Sequence, residues 1–156
     1  RALHIKNAAV HYHFPAKEDL YLAIVQYYID VYQHMARQMN EAQLSPKQQL
    51  DRFIQRYADL VDANKICIIG ATSADYNNMP EAVKKKVTEL VDYVLGLVEK
   101  TLAAGKRNGS FAFTETAKNQ TMLLMTNLAA GVQLARITGK KDFENIRKSI
   151  LKTIQA

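Results

Sequence analysis

One cysteine, Cys67, is all the thiol that 156 residues carry, so an internal disulfide is impossible and the four-ligand spacing of a structural zinc site is missing. Tryptophan is absent, and three prolines and six glycines leave few breaks in the chain. No apolar run approaches the roughly 20 residues needed to span a bilayer, and no basic start leads into an apolar signal core. There is no repeat at a solenoid period and no low-complexity tract. No Ser-His-Asp string, phosphate loop or carboxylate pair stands out, which argues against an enzyme. The expectation is a soluble, cytoplasmic protein with no metal and no cofactor. A chain of this length buries roughly 70% of the surface its unfolded form exposes, enough for a core without covalent staples.

Acid is missing from the front of the chain. Between Arg1 and Lys17 stand three basic residues, three of the four histidines and no Asp or Glu. Over the whole sequence 21 Lys and Arg face 15 Asp and Glu, a net charge of +6 with His neutral. Such an excess permits nucleic acid as a partner without requiring it. The acid-free front end is where an anion would go.

Helical period fills almost every informative window. From Lys17, Leu20, Ile24, Tyr27, Val31 and Met35 recur at spacings of three and four and predict a long helix to about Glu41. Ser45-Pro46-Lys47-Gln48 supplies an N-cap, a first-turn proline and a capping-box glutamine. Leu50, Phe53, Ile54, Tyr57, Leu60 and Val61 follow as the buried face of that helix. Ile66-Cys67-Ile68-Ile69 is β-branched enough for a strand, but no second strand candidate exists to pair with it, so a short buried helix is expected. Pro80-Glu81 opens a central helix whose stripe is Val83, Val87, Leu90, Val91, Val94, Val98 and Leu102, ending near Gly105. Thr114 can cap a helix carrying Met122, Met125, Leu128, Ala129, Val132 and Ala135, which Gly139 ends. Asp142 caps a last helix with Phe143, Ile146, Ile150 and Ile154. The predicted fold class is all-α. Lys84-Lys85-Lys86, the only run of three like charges, falls on a solvated helix face.

Three segments carry a family resemblance. His13, Phe14, Lys17, Glu18 and Leu20 match an aromatic-x-His-Phe-x-x-Lys-Glu-x-Leu string that follows a short helical stretch. Later, Met79-Pro80 starts a helix and Asn127-Leu128-Ala129-Ala130-Gly131 leads to Leu134-Ala135-Arg136. On these residues the sequence resembles the TetR family of bacterial transcriptional repressors over its whole length. The resemblance implies a helical bundle with a partial N-terminal helix-turn-helix, residues 1–16, and a C-terminal ligand-binding and dimerisation core, residues 17–156. It also implies that a first helix and most of a second precede Arg1. The chain departs from the family pattern at His4, where a turn glycine is usual, at Lys6 and Ala16, where serine is usual, and at His11, where tyrosine is usual.

The physics of the motif agrees with that reading. A recognition helix needs short residues at its first turn so that its backbone can lie deep in the major groove. Lys6, Asn7, Ala8 and Ala9 have that composition. His11, Tyr12, His13 and Lys17 can donate at phosphate level, while Val10 and Phe14 are spaced to anchor the helix on the core. His11-x-His13 is not a metal pair, because residues two apart on a helix point in different directions.

The resemblance further implies a dimer on a palindromic operator, released by a small molecule bound among the core helices. The candidate lining is Phe53, Tyr57, Cys67, Tyr76, Tyr93, Met122 and Met125, which suits a lipophilic or aromatic effector. Cys67, following Lys65 near a predicted helix start, raises a thiol-sensor version of the same repressor. The candidate dimer face is Leu128, Gly131, Ala135, Phe143, Ile146, Ile150 and Ile154, with small residues that admit a partner helix. The reading from another class is a helical small-molecule-binding or scaffolding protein that does not bind DNA.

Overall fold

The capping chemistry at residue 45 sets the first firm boundary. Ser45 Oγ accepts the Gln48 N–H at 3.4 Å, and the Gln48 side-chain oxygen accepts the Ser45 N–H at 2.9 Å. Two orphan donors at one helix start are thereby satisfied reciprocally, and Pro46 enters the first turn without losing a bond. In the computed structural model, which describes residues 7–154, the order is α1 (Asn7–His13), α2 (Lys17–Glu41), α3 (Pro46–Asp62), α4 (Ile68–Asp75), a 3-10 turn (Tyr76–Asn78), α5 (Glu81–Arg107), α6 (Ala117–Thr138) and α7 (Lys140–Ile154). There is no strand among the described residues, as the sequence predicted, and no helix of them is long and apolar enough to cross a membrane.

Most boundaries fall where the sequence puts them. Gly139 ends α6 at φ 99°, a backbone setting that L side chains rarely adopt. The α6 start moves to Thr116, whose hydroxyl accepts the Asn119 N–H at 3.1 Å, instead of Thr114. At α2 the cap residue is Ala16, which has no side chain to offer, and the Asp19 carboxylate accepts the Ala16 N–H at 2.9 Å instead.

α5 is the central helix and packs against α2, α3 and α6. Val83, Val87, Leu90, Val94, Val98 and Leu102 are buried on it, with Val91 half-buried beside them. The predicted face of α2 is displaced by one residue step. Val25, Ile29, Tyr32, Ala36 and Met39 are buried with Met35, whereas Ile24 and Tyr27 are exposed, Tyr27 by 62%. Both rows have helical period, so spacing could not choose between them; packing against α5 does.

The residues of the expected dimer face pack inside the single chain. Leu128, Gly131, Ala135, Phe143, Ile150 and Ile154 are buried within the single chain, and Ile146 is half-buried against the same core. A Cβ added at Gly131 would lie 3.2 Å from the Phe143 ring and 3.7 Å from Ile146. The small stripe of α6 therefore admits the chain's own α7. A 15-residue helix must bury its apolar strip, and α6 is the nearest surface on which to do so.

The α5–α6 connection is unusually well anchored. Phe111 and Phe113 tuck into the core, and the Ala112 N–H bonds to the Ile154 carbonyl at 2.9 Å. α5 runs two residues past Gly105, where the Phe111 ring occupies the space of a Cβ, 2.0 Å from the nearest ring atom. At the charge run, Lys84 pairs with Glu81 at 2.9 Å and Lys86 with Glu89 at 2.8 Å, leaving Lys85 exposed on the solvated face.

Candidate functional site

α1 stands at the edge of the fold. Ala9, His11, Tyr12 and His13 are exposed on it, and Tyr12 meets His13 edge-on at 5.2 Å. Lys6 lies outside the described residues, and Asn7 and Ala8 begin the helix. Phe14 is half-buried while Val10 stays exposed, so one of the two expected anchors is engaged. Three residues after Phe14 the chain enters α2 at Lys17, and the first turn of that helix also holds Glu18 and Asp19. These acids offset the positive helix end, so Lys17 stands there as an exposed cation and not as part of a helix-end anion site. Lys17 lines a cavity of about 480 Å³ with Tyr21 of α2, Asp75 of α4 and Val83 of α5. Burial, and secondarily the Asp75 charge, raises the Tyr21 hydroxyl above its ordinary value.

α2 then runs from this junction into the interior. Tyr32 is buried there with Phe53 and Tyr57 of α3, at ring separations of 6.2 Å from Tyr32 to Phe53 and 5.5 Å from Phe53 to Tyr57. The Tyr57 hydroxyl donates to the Met125 sulfur at 3.9 Å, and Tyr32 and Cys67 adjoin it. Cys67 is the N-cap of α4, as expected near a helix start, but it is 1% exposed. The Arg56 guanidinium lies over the Tyr32 ring at 5.3 Å. Phe53, Tyr57, Cys67 and Met125 are thus brought together, with Tyr32 and Arg56 added by the structure.

The other three proposed lining residues lie elsewhere. Tyr76 and Tyr93 are half-buried on an outer groove of about 690 Å³ beside Lys84 and Lys85, with the Tyr76 hydroxyl 3.1 Å from Thr88 Oγ1. Met122 is 46% exposed, because the inward face of α6 is Thr121, Leu124, Met125 and Leu128. Tyr32 escaped the sequence reading because it belongs to the second apolar row of α2. Arg56 carried no signal, since an arginine on an amphipathic helix ordinarily lies in solvent.

Between α2 and α3 a groove of about 610 Å³ opens above this cluster, with Val31, His34, Met35 and Gln38 on one wall and Asp51, Arg52, Gln55, Arg56 and Asp59 on the other. Its volume is that of a small-molecule site. Among the described residues no three His, Cys, Asp or Glu converge to hold a metal ion.

Burial pushes the Tyr57 hydroxyl well above 10.0, reinforced by the neighbouring Tyr32 and Cys67. Tyr32 is raised too, by burial first, against the opposing influence of the neighbouring Tyr57 hydroxyl and the Arg56 charge. A group whose folded value is raised holds its proton where the unfolded chain would lose it. Its stabilisation is therefore complete below the unfolded value and is lost as pH rises through the folded one. The protein is expected to lose stability above about pH 10, the unperturbed tyrosine value. Urea unfolding at pH 8 and pH 11 should show a smaller drop for Tyr57→Phe than for the parent; an equal drop would contradict the assignment.

A family profile described as "Tetracyclin repressor-like, C-terminal domain" matches residues 46–149. The chain belongs to the TetR family. Solved TetR-family regulators share the fold. One from Agrobacterium tumefaciens superposes with a TM-score of 0.87 at 23% identity, covering 97% of this chain and 82% of that one. A TetR regulator from Legionella pneumophila gives 0.81 at 25% identity over 99% and 82%. The reduced form of E. coli NemR gives 0.76 at 18% identity over 97% and 81%. No curated protein matches the chain in sequence. Membership of the TetR family makes the protein a transcriptional regulator by kinship, with the all-α bundle expected of it.

Proposed function

We propose that the protein is a DNA-binding repressor that acts as a homodimer on a palindromic operator and is released by a small lipophilic or aromatic effector. The observation that carries this reading is the course of α2. Its first turn adjoins the exposed, histidine-bearing helix α1, and its middle holds Tyr32 against the interior cluster of Phe53, Tyr57, Cys67 and Met125. A ligand among those side chains would act on the same rigid element that positions α1. Residues 1–16 serve DNA in this reading, and residues 17–156 serve the effector and the partner.

The homodimer is assigned to the outer face of α6, given that the inner strip is used by α7. Leu123, Asn127, Ala130, Leu134 and Ile137 lie at spacings of four, three, four and three and are all exposed, Ile137 by 85%. Such a row is the seam of a helix pair, with a small residue at its centre for close approach.

Release by a factor of about 100 needs about 2.7 kcal/mol of preference for the form whose recognition helices are wrongly spaced. The test is fluorescence anisotropy of full-length protein on operator DNA, titrated with aromatic compounds that also raise its melting temperature. Release that survives Cys67→Ser supports non-covalent effector binding. Release by oxidants or electrophiles alone, abolished by Cys67→Ser, supports the thiol sensor. Lys17→Ala should weaken binding to all sequences alike and lower the salt slope by about one, whereas Asn7→Ala should alter base preference.

A further inference from the structure

We infer that the groove between α2 and α3 receives a small aromatic carboxylate, with Arg56 as its anion receptor. This rests on the effector reading above and adds to it the charge and shape of the ligand. Arg56 is partly buried, and its Nε–H is fully buried without an acceptor among the described residues. Among the described residues no carboxylate pairs with its guanidinium, which lies over the Tyr32 ring beside that residue's hydroxyl. A buried charged donor left unmatched is costly, and a planar guanidinium fits the two oxygens of a carboxylate.

Its neighbours are already committed. Arg52 crosses the groove to donate to the Gln38 oxygen at 3.0 Å. Gln55 donates to Asp59 at 2.9 Å and accepts from Arg147 at 3.3 Å. Asp51 and Asp59 are exposed on the same helix and offset the charges of Arg52 and Arg56. The groove as a whole therefore draws no anion from a distance, and selection falls on direct contact with Arg56. The same acids disfavour a phosphate dianion. Val31 and Met35 supply the apolar surface on which an aromatic body would lie.

The experiment is calorimetric titration of the protein with sodium benzoate, with benzamide, which has the same shape without the charge, and with inorganic phosphate. Benzoate should bind about tenfold tighter than benzamide or more, since a charge-assisted pair replaces a neutral contact, and phosphate should not compete. Arg56→Gln should abolish the preference and leave benzamide unchanged, Arg56→Lys should keep part of it, and Arg52→Gln should keep it whole. Equal binding of benzoate and benzamide, no saturable benzoate binding, or a preference that survives in folded Arg56→Gln would overturn the assignment. The unsubstituted comparison stands even if the Arg56 variants do not fold. Benzoate bound through Arg56 with DNA affinity unchanged would uphold the receptor and defeat the effector reading. Neutral aromatics that release DNA while benzoate fails to bind would do the reverse.

Discussion

Leu134→Glu combined with Ile137→Glu is expected to give a folded monomer that no longer holds its operator. Both side chains are at least half exposed in the single chain, so neither substitution removes packing from the core. In the dimer each would place a carboxylate in a helix seam. Two losses of about 2 kcal/mol each raise the dissociation constant of the dimer about a thousandfold. Sedimentation should report a monomer with unchanged helical circular dichroism. A dimer of undiminished affinity would take α6's outer face out of the interface. The contrast is Ile150→Glu, whose side chain is buried under α6 in the same protomer. It is expected to damage the fold itself, because a charge is left unpaired in the core.

Gly105→Ala should cost about 3 kcal/mol, the upper end for an overpacked core. The new methyl group would fall 2.0 Å from the Phe111 ring, so the ring must leave its place or α5 must move. Phe111 cannot move freely, since its own N–H is bonded to the Gly105 carbonyl at 3.1 Å and the next residue is tied to the end of α7. Adding Phe111→Ala removes the clash, and the double variant should be no less stable than Phe111→Ala alone. Additive losses in urea unfolding would show that the contact is not the cause.

The same residues explain what the sequence could and could not reveal. Helix starts at Ser45 and stops at Gly139 are written in local chemistry, as is the six-residue buried stripe of α5, and each is found in the structure. The face of α2 was not legible, because Leu20, Ile24, Tyr27 and Val31 compete with Val25, Ile29, Tyr32 and Ala36 as apolar rows. That one-step ambiguity hid Tyr32, and with it the link from α2 to the interior cluster. The α6–α7 strip reads equally well as an internal or an external contact, since small residues admit any helix. Only the observed seat of Phe143 beside Gly131 decides it. α5 ends two residues past Gly105, near where the sequence puts it, but the reason for a glycine there was not legible, because its partner, Phe111, lies beyond a loop.

The central claim is that α1 reads DNA on a dimer held by α6. Its most direct test is the anisotropy of full-length protein on the DNA upstream of its own gene, measured between 50 and 200 mM salt, concentrations over which proteins making 6–10 phosphate contacts lose about 10³–10⁵ in affinity. The account predicts two protomers per site and a loss of affinity of roughly that size as counterions are released. Salt-independent binding, or no binding to that or any other genomic fragment, would contradict it.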